Sequence, residues 1–161
     1  MPFILGLIFT ALLVFVDQFT KWLAITRLAP IGSYPFIPGF MQFRYHINTG
    51  AAFGILEGGR WFFVIFTAVV FCVVVYFYIK LPRDRVSAFA RAGLILLISG
   101  ALGNGIDRFI KGYVVDFLEF QFIDFPIFNG ADVFIVSGTI LLTILIIFFY
   151  KDPAKSSKKE N

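Results

Sequence analysis

The sequence predicts an all-α integral membrane protein with four transmembrane helices, a small extracytoplasmic β-sheet, a short interfacial segment and both termini in the cytoplasm. Three observations predict it. Hydrophobic residues make up 59% of the 161 and charged ones only 15%, a balance outside the range of soluble domains. Four apolar stretches, at about 3–25, 61–79, 88–110 and 131–150, each approach the roughly 20 residues that a helix needs to cross hydrocarbon. The basic residues cluster beside the ends of those stretches, as membrane topology requires.

The first stretch lacks a basic n-region and carries Asp17, Lys21 and Trp22 where a cleavable signal would have small residues, so it reads as a retained span. Between the second and third lie Lys80, Arg83, Arg85 and, just beyond, Arg91, and the tail after the fourth holds Lys151, Lys155, Lys158 and Lys159. The positive-inside rule puts that loop and the tail in the cytoplasm and the other two connections outside. Residues 1–150 then form a single membrane domain, and the charged tail 151–161, with nothing to bury, is expected to be disordered.

The first outer connection opens with a Pro- and Gly-rich stretch and continues as MQFRYHIN, alternating Met41, Phe43, Tyr45 and Ile47 against Gln42, Arg44, His46 and Asn48. That alternation predicts a strand belonging to a small sheet on the membrane surface. The second, YVVDFLEFQFIDFPIF, mixes five phenylalanines with Asp116, Glu119 and Asp124, a composition suited to the headgroup boundary.

The net charge of +4 is accounted for by membrane orientation, and no nucleic-acid partner is expected. One cysteine, Cys72, and one histidine, His46, give neither an internal disulfide nor an imidazole-built zinc site.

Ionisable groups at or in hydrocarbon are expensive, which makes each a functional candidate beside its structural explanation. By depth, Asp17, Asp107, Arg108 and Asp132 all converge on the outer face. Asp17 and Lys21, four apart, share a helix face and can form an ion pair. Asn104, Asp107 and Arg108 project from one face at spacings of three and four, and Arg108 complements a helix C-terminus. Asp116 follows two valines with no basic residue nearby along the chain, so desolvation pushes its pKa upward. Asp132, three after Asn129, suits a capping arrangement at the fourth helix, where the dipole favours negative charge. Two carboxylates whose surroundings push their proton affinities apart can share one proton, as in an aspartic peptidase. Local pattern leaves Asp107 open as a member of such a pair. It equally leaves open an ion-coupled carrier, although carriers place such groups at the midplane of repeated halves.

Five segments, VDQFTK at 16–21, NTGAAFG at 48–54, SGALGNGIDR at 99–108, VVDF at 114–117 and FNGAD at 128–132, give the chain a close resemblance to the lipoprotein signal peptidases, or signal peptidase II. Ser99 and Gly54 are small-residue departures. The resemblance implies an inner-membrane aspartic endopeptidase that removes signal peptides from diacylglyceryl-modified prolipoproteins, with its active site on the extracytoplasmic side and with no metal or cofactor. It implies a catalytic pair Asp116 and Asp132, Asn129 orienting the second, Asp107 and Arg108 bracing the site, and a substrate pocket lined by Asp17, Lys21, Asn48, Gly50, Asn104 and Arg108. The implied partners are lipid-modified prolipoproteins and membrane lipids, with inhibition by globomycin-type cyclic peptides and a monomeric state.

Overall fold

The computed structural model describes residues 3–50 and 58–149. Most of the NTGAAFG segment, the end of the fourth expected span at Tyr150 and the charged tail lie outside the described residues. Among the described residues, four helices are long and apolar enough to cross a membrane: α1 (Phe3–Leu23) with its continuation to Leu28, α2 (Arg60–Lys80), α3 (Arg85–Lys111) and α4 (Gly130–Phe149). The last turn of the first span, Ala24–Leu28, is a π-helix closed by Ala29 N–H on the Ala24 carbonyl at 2.8 Å.

The third helix is the hub. Half of its spanning window is buried, against 11% or less for the other three, because α1, α2 and α4 all pack on it. Small residues make this possible. A side-chain carbon at Gly138 of α4 would lie 2.6 Å from the Gly93 carbonyl of α3, so the two backbones meet at a distance only glycine allows. The outward faces of α1, α2 and α4 are apolar and exposed, as lipid-facing surfaces are, with Ile4, Ile65 and Ile147 all above 60%.

The third helix begins three residues earlier than the apolar pattern predicts. Asp84 caps it, accepting the Ser87 N–H at 2.9 Å and the Ser87 hydroxyl at 2.7 Å. Arg91, counted with the basic loop on sequence grounds, is instead buried and donates to the Leu81 and Pro82 carbonyls at the end of α2.

At the opposite end of the bundle lies a three-stranded antiparallel sheet in the order β1 (Ser33–Ile37), β2 (Met41–Asn48), β3 (Val114–Phe120). The predicted strand is β2, residue for residue. The expected interfacial segment is corrected in its first half, where Val114–Phe120 is a strand whose initial residues are buried on both faces, which hides the alternation that marks a surface strand. Val115 and Phe117 pack with Ala24 and Leu28 of the π-helix, seating the sheet on the first span. The remainder is held by aromatic contacts: Phe120 meets Phe125 and Phe128, and Phe40 stacks on Phe122 at 4.9 Å between centroids.

The β2–β3 register slips by one between Phe43 and His46. Ahead of the slip, Gln42 stands opposite Glu119; beyond it, His46 stands opposite Asp116. Glu119 and Asp116 differ in parity and occupy opposite faces of β3, so the bulge moves the even-numbered residues of β2 across the sheet. Asn48 thereby joins the face that carries Asp116.

Candidate active site

The tail of β2, the start of β3, the third turn from the end of α3 and the first turn of α4 bring five polar side chains together. Asp116 is 1% exposed. Its Oδ2 accepts Nδ2 of Asn48 at 2.8 Å and its Oδ1 accepts Nδ2 of Asn129 at 2.6 Å. Asn129 in turn caps α4 reciprocally with Asp132: its backbone N–H donates to Asp132 Oδ2 at 3.0 Å, and its Oδ1 accepts the Asp132 N–H at 3.2 Å. The cap on α4 and the hold on Asp116 are thus joined in one residue, since Asn129 serves both carboxylates at once. Asn104 completes the ring, donating to Asp132 Oδ1 at 2.8 Å and accepting from Asn129 at 3.1 Å.

Beneath this ring runs a buried row of charges. Lys21 donates to Asn104 Oδ1 at 2.9 Å and pairs with Asp17 at 2.8 Å and Asp107 at 3.1 Å; Lys111 pairs with Asp107 at 2.9 Å. Asp17 also accepts the Ala131 N–H at 2.9 Å, which fixes the first turn of α4. A side chain at Gly103 would collide with the Asp17 carboxylate, so the GNG run of α3 makes the room this carboxylate needs. Buried charges of this kind persist only when paired, and each of these has an ion-pair partner, Asp107 Oδ2 facing the Lys21 ammonium at 3.1 Å without a hydrogen bond.

Burial pushes the Asp116 carboxyl above its ordinary range and the nearby Asp132 carboxylate adds to this, while the Asn48 and Asn129 amides pull the other way. Asp132 sits where the first turn of α4 presents its N–H groups, a setting that interacts favourably with negative charge.

A cavity of about 940 Å³ opens from the two carboxylates. Asn48, Asn104, Arg108, Asp116 and Asp132 line its polar end, and Phe66, Val70, Val73 and Leu97 with Val133 and Val136 of α4 are among the apolar residues that line the rest. The apolar part runs along α3 between α2 and α4.

The structure brings Asn48, Asn104, Asp116, Asn129 and Asp132 together and sets Asp17, Lys21, Gly50, Asp107 and Arg108 around them. Asp17, Lys21 and Gly50 are not among the described residues that line the cavity: Asp17 and Lys21 have no exposed surface, and Lys21 touches the lining residue Asn104. Asp107 and Arg108 point about 100° apart, as successive helical residues do. Asp107 turns to the two lysines, whereas Arg108 donates to the Gly50 carbonyl at 2.9 Å and lies over the Phe63 ring at 4.4 Å. Three participants escaped the sequence reading. Lys111 was visible as a basic residue four after Asp107. Gln18, which donates to Asp17 and to the Gly103 carbonyl, and Phe63 gave no local signal.

Comparison with known proteins supplies the family. Residues 9–148 match the family model described as Signal peptidase (SPase) II. The chain is 48% identical over 145 residues to the lipoprotein signal peptidase of Caldanaerobacter subterraneus subsp. tengcongensis, covering 89% of this chain and 97% of that one. It is 42% identical over 149 residues to that of Enterococcus faecalis, covering 92% and 91%. Two solved bacterial membrane enzymes, both determined by the in meso method, superpose with TM-scores of 0.82 and 0.81 at 39% and 38% identity, over 90% and 92% of this chain and 88% and 96% of theirs.

Proposed function

The chain belongs to the signal peptidase II family, and from that premise we propose that it cleaves as an aspartic peptidase in which Asp116 and Asp132 share one proton. The general activity is that of the family: a multi-pass membrane protease that removes signal peptides from prolipoproteins. The observation that carries the finer reading is the single residue Asn129, whose side chain holds one carboxylate while its backbone holds the other.

Charge counting supports the assignment of roles. Asp17, Asp107 and Asp132 are matched by Lys21, Lys111 and Arg108, so the cluster is neutral when Asp116 keeps its proton. Ionising Asp116 as well would leave one uncompensated charge among buried groups, which is costly. In the proposed reaction Asp132 takes a proton from water as the oxygen bonds to the scissile carbonyl carbon. The carbon–nitrogen bond breaks as Asp116 passes its proton to the leaving nitrogen, and proton transfer from Asp132 to Asp116 restores the pair.

The apolar cavity fits the acyl chains of a diacylglyceryl group, which would orient the peptide by binding away from the reacting atoms. With the termini cytoplasmic, the site faces the extracytoplasmic side of the inner membrane and substrate enters sideways from the outer leaflet between α2 and α4. Inhibition by globomycin-type cyclic peptides and a monomeric state belong to the same reading. The carrier alternative is not favoured, because the relatives that match along nearly the whole chain are peptidases.

The test presents the detergent-purified protein with a diacylglyceryl-modified precursor and its unmodified twin. Cleavage of the modified precursor alone is the expected result, and equal cleavage of both would remove the role given to the apolar cavity.

A further inference from the structure

Among the described residues lining the cavity, Arg108 is the only cation, and it stands within electrostatic reach of both Asp116 and Asp132. A guanidinium there has an obvious competing partner, since a bidentate bond to a carboxylate is among the strongest contacts it makes. Yet no ion pair joins Arg108 to either aspartate among the described residues. Among the described residues, two contacts hold it elsewhere: the Gly50 carbonyl at 2.9 Å and the face of Phe63 at 4.4 Å.

Phe63 is itself well placed to do this. It closes the first turn of α2, where its N–H donates to the Gly59 carbonyl at 3.2 Å. That turn is tied to the end of α3 by Arg60, which donates to the Phe109 carbonyl, and by the Trp61–Phe109 ring contact at 6.5 Å. The ring thus belongs to a segment anchored to the helix that carries Arg108.

We infer that Phe63 is a positioning residue for the proposed cleavage, holding the Arg108 guanidinium against α2 and off the Asp116–Asp132 pair, so that both carboxylates stay available to water and substrate. This rests on the catalytic reading given above. The ring acts through Arg108 and touches none of the reacting groups.

The experiment measures kcat/KM on the diacylglyceryl-modified precursor for Phe63→Leu and Phe63→Tyr, each alone and in an Arg108→Gln background, with thermal unfolding as a control for folding. A partly desolvated cation–π contact is worth about a tenfold change. Phe63→Leu is expected to lose about that factor, Phe63→Tyr to stay within about twofold because the π face is kept, and Phe63→Leu to cost nothing further once position 108 carries no cation. Unchanged turnover in Phe63→Leu, an equal loss in Phe63→Tyr, or an undiminished loss in the Arg108→Gln background would overturn the inference. The two readings fail separately: wild-type turnover in Asp116→Asn would sink the catalytic assignment, whereas wild-type turnover in Phe63→Leu sinks only the role of the ring.

Discussion

Asn48 and Lys21 show how single residues set the behaviour of the site. Asn48 donates to the Asp116 carboxylate at 2.8 Å, a bond that favours the charged form and opposes the upward push of burial. Replacing it with alanine therefore raises the Asp116 pKa further. If Asp116 is the member that must be protonated, the alkaline limb of the kcat/KM profile moves to higher pH in Asn48→Ala. A profile shifted downward, or unshifted with reduced height, contradicts that role. Lys21 is a matter of stability. It serves two fully buried carboxylates, so Lys21→Ala leaves Asp17 with no cation and Asp107 with only Lys111, a loss of about 3–5 kcal/mol. Unfolding in detergent reads it directly.

At the scale of elements, the α3–α4 contact and the strand register decide whether the site assembles. A methyl at Gly138 meets backbone atoms of α3 at 2.6 and 2.9 Å, and backbone cannot rotate away as a side chain can. Gly138→Ala is expected to cost about 1–3 kcal/mol, whereas Ile147→Ala, on an exposed face, should leave the melting temperature within a degree or two of wild type. The same scale explains what the sequence could and could not disclose. The spans were legible because length and apolarity alone define them, and β2 because one of its faces alternates. β1 was hidden because all five of its residues are exposed and one is Pro35, so no burial pattern marks it. β3 was hidden for the opposite reason, being buried on both faces where it begins. The candidate residues could be collected by depth and charge, but their assembly could not. Asn48 and Asp116 are 68 positions apart and meet only because a bulge changes the parity of β2, which no local pattern announces. Phe63 is one of 23 phenylalanines, and only its place beneath a guanidinium distinguishes it.

For the whole molecule, the account requires that the carboxylates, the sheet and the apolar cavity share one end of the bundle and that this end faces outward. Ser33 of β1 and Arg83 of the α2–α3 loop are both exposed and lie at opposite ends of the helices. In a Cys72→Ser background, an impermeant maleimide should label Ser33→Cys in intact spheroplasts and Arg83→Cys only after permeabilisation. The reverse pattern inverts the topology. The central claim is that Asp116 and Asp132, which come from a strand and a helix and are joined through Asn129, act together on one water molecule. Single-turnover cleavage of a diacylglyceryl-modified precursor by purified Asp116→Asn and Asp132→Asn proteins tests it most directly. The account predicts that each substitution alone abolishes product formation while both proteins retain the wild-type helical signal and still bind the precursor; product at the wild-type rate from either one contradicts it.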